Sequence, residues 1–399
     1  MTLIRPPAAH ILPSVADLVA RERPEAPIYC LRPAVIAAAA GEFVAAFPGR
    51  TLYAVKCNPE PLALRAIWDG GVRHFDCASL AEVALVRDLF PQAGIHFMHP
   101  VKARGAIRAA WAQHGVRDFA FDTPEELAKI LAETATGPVS DRGLILRLAL
   151  GKGVARHDLS GKFGAAPEAA AALLRAARPH AARLGVTFHV GSQCLDPLAW
   201  RRAIALAGEV VREAGVPVEV LDVGGGFPVA YPDQSPPPLG AFFAEIEAAF
   251  EALDLPEVAL WAEPGRALVA AGGSIVLQVQ QRRDGGLFVN DGVYGALSDA
   301  GAPGFRFPTR LLRPGGQAAR IERDFALFGP TCDSADVMRG PFRLPADTAE
   351  GDWIELGQLG AYAACLATPF NGFAAARVVA VPDRPLPVRH DAPPVTLAA

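Results

Sequence analysis

Between residues 50 and 265 the chain repeats one pattern: a short apolar run, a polar residue at its end, then an Ala- and Leu-rich stretch of helical periodicity. The apolar runs fall at 52–55, 73–75, 95–98, 119–121, 144–148, 187–190, 220–223 and 260–262, and helical stretches such as 81–90, 124–134 and 167–177 lie between them. Buried strands alternating with helices are the signature of βα units around a parallel sheet. Eight such units predict an α/β fold with a closed (β/α)8 barrel rather than an open sheet.

The polar residues fall in a consistent place. Lys56, Asp76, His99, Asp122, Arg147, His189, Gly224, Gly225, Gly226 and Glu263 each stand at or just after the C-terminal end of an apolar run. In a closed barrel those ends form one rim, and active sites are built on that rim. Asp122, just before Thr123-Pro124, is equally well read as a cap for the next helix. Lys56 and Arg147 are harder to explain as helix starts, where positive charge is disfavoured.

After about residue 270 the rhythm changes. Runs at 274–279, 287–290, 325–328, 353–356 and 377–381 are short, β-rich and separated by Gly/Pro turns. They predict a mainly antiparallel β domain joined by the N-terminal segment, so the expected division is a barrel over 28–272 and a β domain over 1–27 and 273–399. Residues 232–238 read as a Pro-rich surface loop, and 381–399 as a loosely attached tail.

Composition narrows the class without changing this picture. At 399 residues, with 51% hydrophobic and 20% charged residues, the chain reads as a soluble two-domain enzyme. A net charge of -4 with no basic stripe makes nucleic acid an unexpected partner. No apolar stretch reaches the roughly 20 residues of a membrane span. The first seven residues lack a signal peptide's pattern. Six scattered cysteines without a Cys-x-x-Cys pair point away from a zinc site and toward the cytoplasm.

Five segments carry candidate chemistry. Lys56 ends the apolar run Leu52-Tyr53-Ala54-Val55, and an amine held partly out of water is freed to attack an aldehyde. A lone lysine after a strand is more often a solvated charge. In Val223-Gly224-Gly225-Gly226-Phe227-Pro228, three glycines let the backbone approach an anion, although the dinucleotide spacing is absent. Glu263-Pro264-Gly265-Arg266 sets a carboxylate and a guanidinium where a basic ring nitrogen and a phosphate would need them, or where the two pair with each other. His189-Val190-Gly191-Ser192 offers a flat ring and a hydroxyl, and no His/Cys/Asp cluster has metal-ligand spacing. Gly329-Pro330-Thr331-Cys332-Asp333-Ser334 places a thiol beside an acid in a tight turn.

Taken in order, these segments resemble the fold-type III decarboxylases that use pyridoxal 5'-phosphate (PLP), the family of ornithine, lysine and diaminopimelate decarboxylases. The resemblance runs from about residue 26 to 373 and adds Phe75-Asp76-Cys77-Ala78-Ser79, Lys162-Phe163-Gly164, Asn290-Asp291-Gly292-Val293-Tyr294-Gly295 and Gly360-Ala361-Tyr362. It implies an alanine-racemase-like barrel with a β domain, and a homodimer with shared active sites. Lys56 would carry PLP as a Schiff base, His189 would stack on its ring, and Asp76 and Arg147 would belong to the surrounding shell. Ser192, Gly224, Gly225, Gly226, Gly265, Arg266 and Tyr362 would hold the phosphate end, and Glu263 the ring nitrogen.

By the same resemblance, Cys332 would donate the proton to the product carbanion and Asp333 would bind the distal amine, both from the partner subunit. Tyr294 and Phe370 would line the substrate end. A carboxylate facing that end favours a substrate ending in an ammonium. This reading favours L-ornithine, yielding putrescine for polyamine biosynthesis, with L-lysine, yielding cadaverine, close behind. Diaminopimelate or a carboxylated polyamine is the alternative, and a non-catalytic regulatory homologue the more distant one. The family's second substrate aspartate is not at its usual place in this sequence: either Asp299 takes the role from a shifted position or that contact is missing.

Overall fold

A computed structural model describes residues 14–135, 141–153, 155–156, 161–373 and 375–390. The N-terminal residues expected to lack a leader pattern, and the last nine of the expected tail, lie outside the described residues. The described chain forms two units: residues 37–229 with 236–268, and residues up to 36 with 230–235 and from 269 onward. No helix among the described residues is long and apolar enough to cross a membrane.

The first of the strands, β1 (Ile28–Leu31), is not part of the barrel. The barrel is built from β2 (Arg50–Ala54), β3 (His74–Cys77), β4 (Gly94–Phe97), β5 (Asp118–Phe121), β6 (Gly143–Arg147), β7 (Arg183–Thr187), β8 (Val220–Asp222) and β9 (Ala259–Ala262). All neighbours pair in parallel, and β2 pairs with β9 to close it. Helices between the strands start where the sequence provides caps. The hydroxyls of Ser79 and Thr123 accept the N–H of Glu82 and of Glu126, and Pro61, Pro124 and Pro167 occupy first turns. Thr123 therefore takes the capping role open to Asp122, whose carboxylate instead accepts the Gly164 N–H at 2.9 Å.

One strand lies earlier than its apolar pattern indicates. The run at 187–190 shares only Thr187 with β7 and otherwise follows it, and β7 itself contains Gly185. A Cβ there would come within 2.9 Å of Ile145 and of Val220, so close strand approach, not β propensity, selects the residue.

Inside the barrel, Leu52, Met98, Ala120, Ile145, Val220 and Trp261 form a buried cluster. At the strand starts a polar network replaces apolar packing. His74 Nδ1 lies 3.0 Å from His96 Nε2, His96 Nδ1 lies 2.8 Å from Asp118 Oδ2, and Arg183 Nε donates to Asp118 at 3.0 Å. Gly94 and Gly143 leave the space, since a Cβ would stand 2.1 Å from His74 Nδ1 or 1.9 Å from Asp118 Oδ1.

The second unit is a mixed sheet of β1 with β10 (Gly273–Arg283), β11 (Gly286–Val289), β12 (Thr309–Leu312), β13 (Glu322–Phe328), β14 (Val337–Pro345), β15 (Trp353–Leu356) and β16 (Arg377–Ala380). The order is β12-β15-β10-β11-β13-β14, and β1 pairs antiparallel with β10 and parallel with β16. Helix Val15–Glu22 packs Val15, Leu18 and Val19 on Ile28, Val276 and Trp353. The boundary expected at residue 28 is thus too early. Ile28–Leu31 is a strand of this sheet, and residues 230–235 also belong to this unit.

Candidate active site

The rim at the strand ends gathers the barrel's candidate residues. Lys56 follows β2 in the single 3-10 turn Val55–Cys57, between buried Val55 and Cys57. The N–H of Ala54 donates to the Pro264 carbonyl at 3.1 Å, which ties this turn to the segment after β9. Lys56 Nζ lies 2.6 Å from Oδ2 of Asp76, a residue of β3 that is 2% exposed. The amine side of the pair is open and the acid side is sealed.

Glu263 follows β9 directly and is 4% exposed. Its N–H donates to the Gly224 carbonyl at 2.8 Å, and its Oε1 is buried with no hydrogen-bond partner. Burial, then the neighbouring carboxylates of Asp222 and Asp76, push the Glu263 carboxyl well above its ordinary range. Asp222, at the end of β8, is fully buried and raised to about 6, chiefly by burial. Its Oδ1 accepts the Gly224 N–H at 2.8 Å, so it fixes the start of the glycine loop.

That loop tolerates no side chains. Gly224 and Gly226 have φ of 64° and 105°. A Cβ at Gly224 would stand 2.1 Å from the Phe188 carbonyl oxygen, and one at Gly225 2.6 Å from that of Glu263. Gln193, which drew no attention in sequence, laces the loops together. Its Nε2 donates to the Val229 carbonyl at 2.6 Å and its Oε1 accepts the Val229 N–H at 3.1 Å. The half-buried Ser192 precedes it, while Arg266, 5% exposed, opens the short helix Arg266–Val269 after Gly265.

His189 Nδ1 accepts the Gly191 N–H at 2.9 Å, which leaves Nε2 to carry the ring proton. Burial, then Arg147 and Lys56, hold its pKa well below the ordinary value, so the ring is neutral. Arg147 ends β6, and a cavity of about 260 Å³ is bordered by Arg147, Phe163, His189 and Arg202. Among the described residues no group of three or more His, Cys, Asp or Glu could hold a metal.

In the β unit, four candidates meet. The Tyr294 hydroxyl donates to Asp333 Oδ2, and the Tyr294 and Phe370 rings lie 4.7 Å apart between centroids. The Ala335 N–H and the Tyr294 hydroxyl hold Asp333 below the usual carboxylate range. Cys332 is exposed, and its N–H donates to Asn371 Oδ1 at 3.1 Å. Asp299 is not among them. It is 6% exposed within the 3-10 turn Ser298–Ala300. Tyr362 is half-buried with φ of 51°, and its carbonyl accepts the Ser298 hydroxyl at 3.3 Å.

Comparison with known proteins settles the family. Residues 34–270 match the family model described as "Pyridoxal-dependent decarboxylase, pyridoxal binding domain". The chain belongs to this family. It is an amino-acid decarboxylase that uses PLP. The chain is 35% identical to an ornithine decarboxylase of Panagrellus redivivus over 80% of its own length and 77% of that protein's. It is 32% identical to a lysine/ornithine decarboxylase of Selenomonas ruminantium, over 84% of each. Among solved structures, an arginine decarboxylase of Paramecium bursaria Chlorella virus bound to agmatine superposes with a TM-score of 0.80. That match has 29% identity and covers 92% of this chain and 99% of the other.

The decarboxylase's rim fits its cofactor by its own chemistry. Glu263 Oε1, buried without a hydrogen-bond partner, suits a ring nitrogen as acceptor or proton carrier. Without side chains at residues 225 and 226, the glycine loop would let an anion approach its backbone, and Arg266 suits a phosphate.

Proposed function

We propose that this decarboxylase removes CO2 from L-ornithine to give putrescine, and accepts L-lysine to give cadaverine. The observation that carries this is the Tyr294–Asp333–Phe370 group, an ionised carboxylate that accepts the hydroxyl of Tyr294, whose ring packs on Phe370. Such a group suits the ammonium at the far end of a diamino acid and its methylene chain. The curated relatives act, by name, on ornithine and on lysine or ornithine, which supports the same class. One methylene is worth roughly 1–3 kcal/mol, so dual activity is consistent with such a pocket.

In this reading Lys56 holds the cofactor through its amine, with Asp76 as its countercharge. When bound, PLP supplies the electron sink that takes up the charge left by departing CO2. Glu263 keeps a proton at the ring nitrogen, neutral His189 packs on the ring, and Ser192, residues 224–226, Gly265, Arg266 and Tyr362 hold the phosphate. Arg147 belongs to the surrounding shell. Cys332 returns a proton to the substrate's α-carbon, and Asp333 orients the distal amine. The functional unit is a homodimer in which Cys332 and Asp333 of one protomer serve the Lys56 of the other. Asp299 is buried in its own turn, apart from this group, and is given no role in the proposal.

The test is CO2 release by the PLP-loaded enzyme from ornithine, lysine, arginine and meso-diaminopimelate. The reading expects ornithine to have the highest kcat/KM, with lysine next. Preference for arginine or diaminopimelate overturns it.

A further inference from the structure

The β-unit residues proposed to meet the substrate lie on three loops: residues 291–296 with Tyr294, 329–336 with Cys332 and Asp333, and 366–373 with Phe370. One buried carboxylate lies at the root of the first two. Asp336 is 3% exposed. Its Oδ1 accepts the Val293 N–H at 2.8 Å, and its Oδ2 accepts the Thr331 N–H at 3.2 Å and the Thr331 hydroxyl at 2.7 Å. Its own N–H donates to the Asp333 carbonyl at 3.0 Å, and its carbonyl accepts the Gly329 N–H at 2.9 Å.

Two glycines make room for this carboxylate. A Cβ at Gly292 would stand 2.0 Å from Asp336 Oδ1, and one at Gly329 2.1 Å from the same atom. The third loop hangs on the other two through the Thr368 N–H on the Tyr294 carbonyl, at 2.8 Å, and Asn371 on the Cys332 N–H, at 3.1 Å. The thiol and the Asp333 carboxylate therefore stand on a frame whose fixed point is Asp336.

We infer that Asp336 is a positioning residue for the reaction: it sets the place of Cys332 and Asp333 by holding the Tyr294 and Cys332 loops in one register. The inference rests on the reading of Cys332 as proton donor. No neutral side chain of the same size replaces it. An asparagine has one acceptor oxygen, and either amide orientation turns its NH2 toward a donor, at Val293 or at Thr331. A longer acid does not fit between Gly292 and Gly329.

A displaced thiol changes where the proton goes. Were Cys332 unable to place the proton at the substrate's α-carbon, hydrolysis would leave the substrate's nitrogen with the cofactor and the water oxygen on the product. The product is then an aldehyde instead of an amine. The test compares Asp336→Asn, Thr331→Val and Cys332→Ala by two readouts: the aldehyde-to-amine ratio of the loaded enzyme, and amide hydrogen exchange of the cofactor-free protein.

Asp336→Asn is expected to lower kcat at least tenfold and raise the aldehyde fraction several-fold. It should speed exchange at Val293 and Thr331 while leaving the Glu263 amide unchanged. Thr331→Val shifts both readouts the same way, less far, and supplies them if Asp336→Asn does not fold. If Cys332→Ala raises the aldehyde fraction but neither Asp336→Asn nor Thr331→Val does, the inference is overturned. Slower turnover with an unchanged ratio and unchanged exchange also overturns it. If Cys332→Ala leaves the ratio untouched, the donor reading fails and the inference falls with it.

Discussion

Lys56 Nζ and Asp76 Oδ2 lie 2.6 Å apart, yet 40% of the lysine side chain is exposed and only 2% of the aspartate's. The pair is a sealed anion holding an open amine in place. Asp76→Asn keeps the shape and removes the countercharge. The expected outcome is a rise of about tenfold in the Kd for PLP, or ~1.4 kcal/mol. Titrating the cofactor-free protein while following its visible absorbance checks this. Lys56→Ala should abolish the absorbance altogether.

Glu263 opposes stability for the sake of chemistry. Its folded-state pKa is raised, so its favourable contribution is complete below about 4.5 and is lost as pH rises through the folded value. Glu263→Gln should therefore raise the Tm of the cofactor-free protein at pH 8, by on the order of 2 °C. The same variant should lose about 10²-fold or more in kcat, because its amide cannot keep a proton on the ring nitrogen. Equal melting and equal turnover would each count against this account.

Acid should weaken the barrel in two stages. Burial, then His96 and Arg50, lower His74 to about 3, so the folded protein refuses a proton that the unfolded chain accepts below about 6.5. Stability then falls as pH drops below that value, by up to about 1.4 kcal/mol per pH unit. Burial alone would raise Asp118, but His96 and Arg183 outweigh it and hold it at about 2. Its contribution is present above about 3.8 and is lost as pH falls toward 2. Urea unfolding at pH 7, 5.5 and 4.5 should show the first stage in the wild type and a shallower slope in His74→Gln.

Asp333→Ala removes the proposed partner of the distal ammonium. KM for ornithine and lysine should rise ten- to hundredfold, with a smaller change in kcat, in steady-state CO2 release. Tyr294→Phe frees one lone pair of the carboxylate and should shift the ratio of kcat/KM for the two substrates, while leaving the PLP absorbance as it is. An unchanged KM in Asp333→Ala would remove the basis for a diamino acid.

The barrel was legible because period and polarity agreed: apolar runs end in Lys56, Arg147 and Glu263, all at one rim. The β unit was less legible. An arginine in β12, and arginines and prolines in β14, break the apolar alternation, and β1 is a four-residue run preceding the first helix of the barrel unit. The network of His74, His96, Asp118 and Arg183 could not be seen, because its successive members are 22 to 65 residues apart and only the pairing of strands unites them. Asp222 and Asp336 went unread for a related reason. Both sit beside glycines that looked sufficient in themselves: Asp222 holds the Gly224 N–H, and Asp336 fills the space that Gly292 and Gly329 leave for it.

The pairing of β1 with β10 and β16 has a consequence for biosynthesis. On the ribosome β1 emerges first and its parallel neighbour last. At 5–20 residues per second the wait is roughly 20 to 70 s. The barrel strands appear within that interval and can close meanwhile, and β10 can cover one edge of β1, whereas the edge that meets β16 stays open until translation nears residue 380. An open strand edge is a template for wrong pairing. The nascent β unit is therefore the part of this chain with the greatest need of a chaperone.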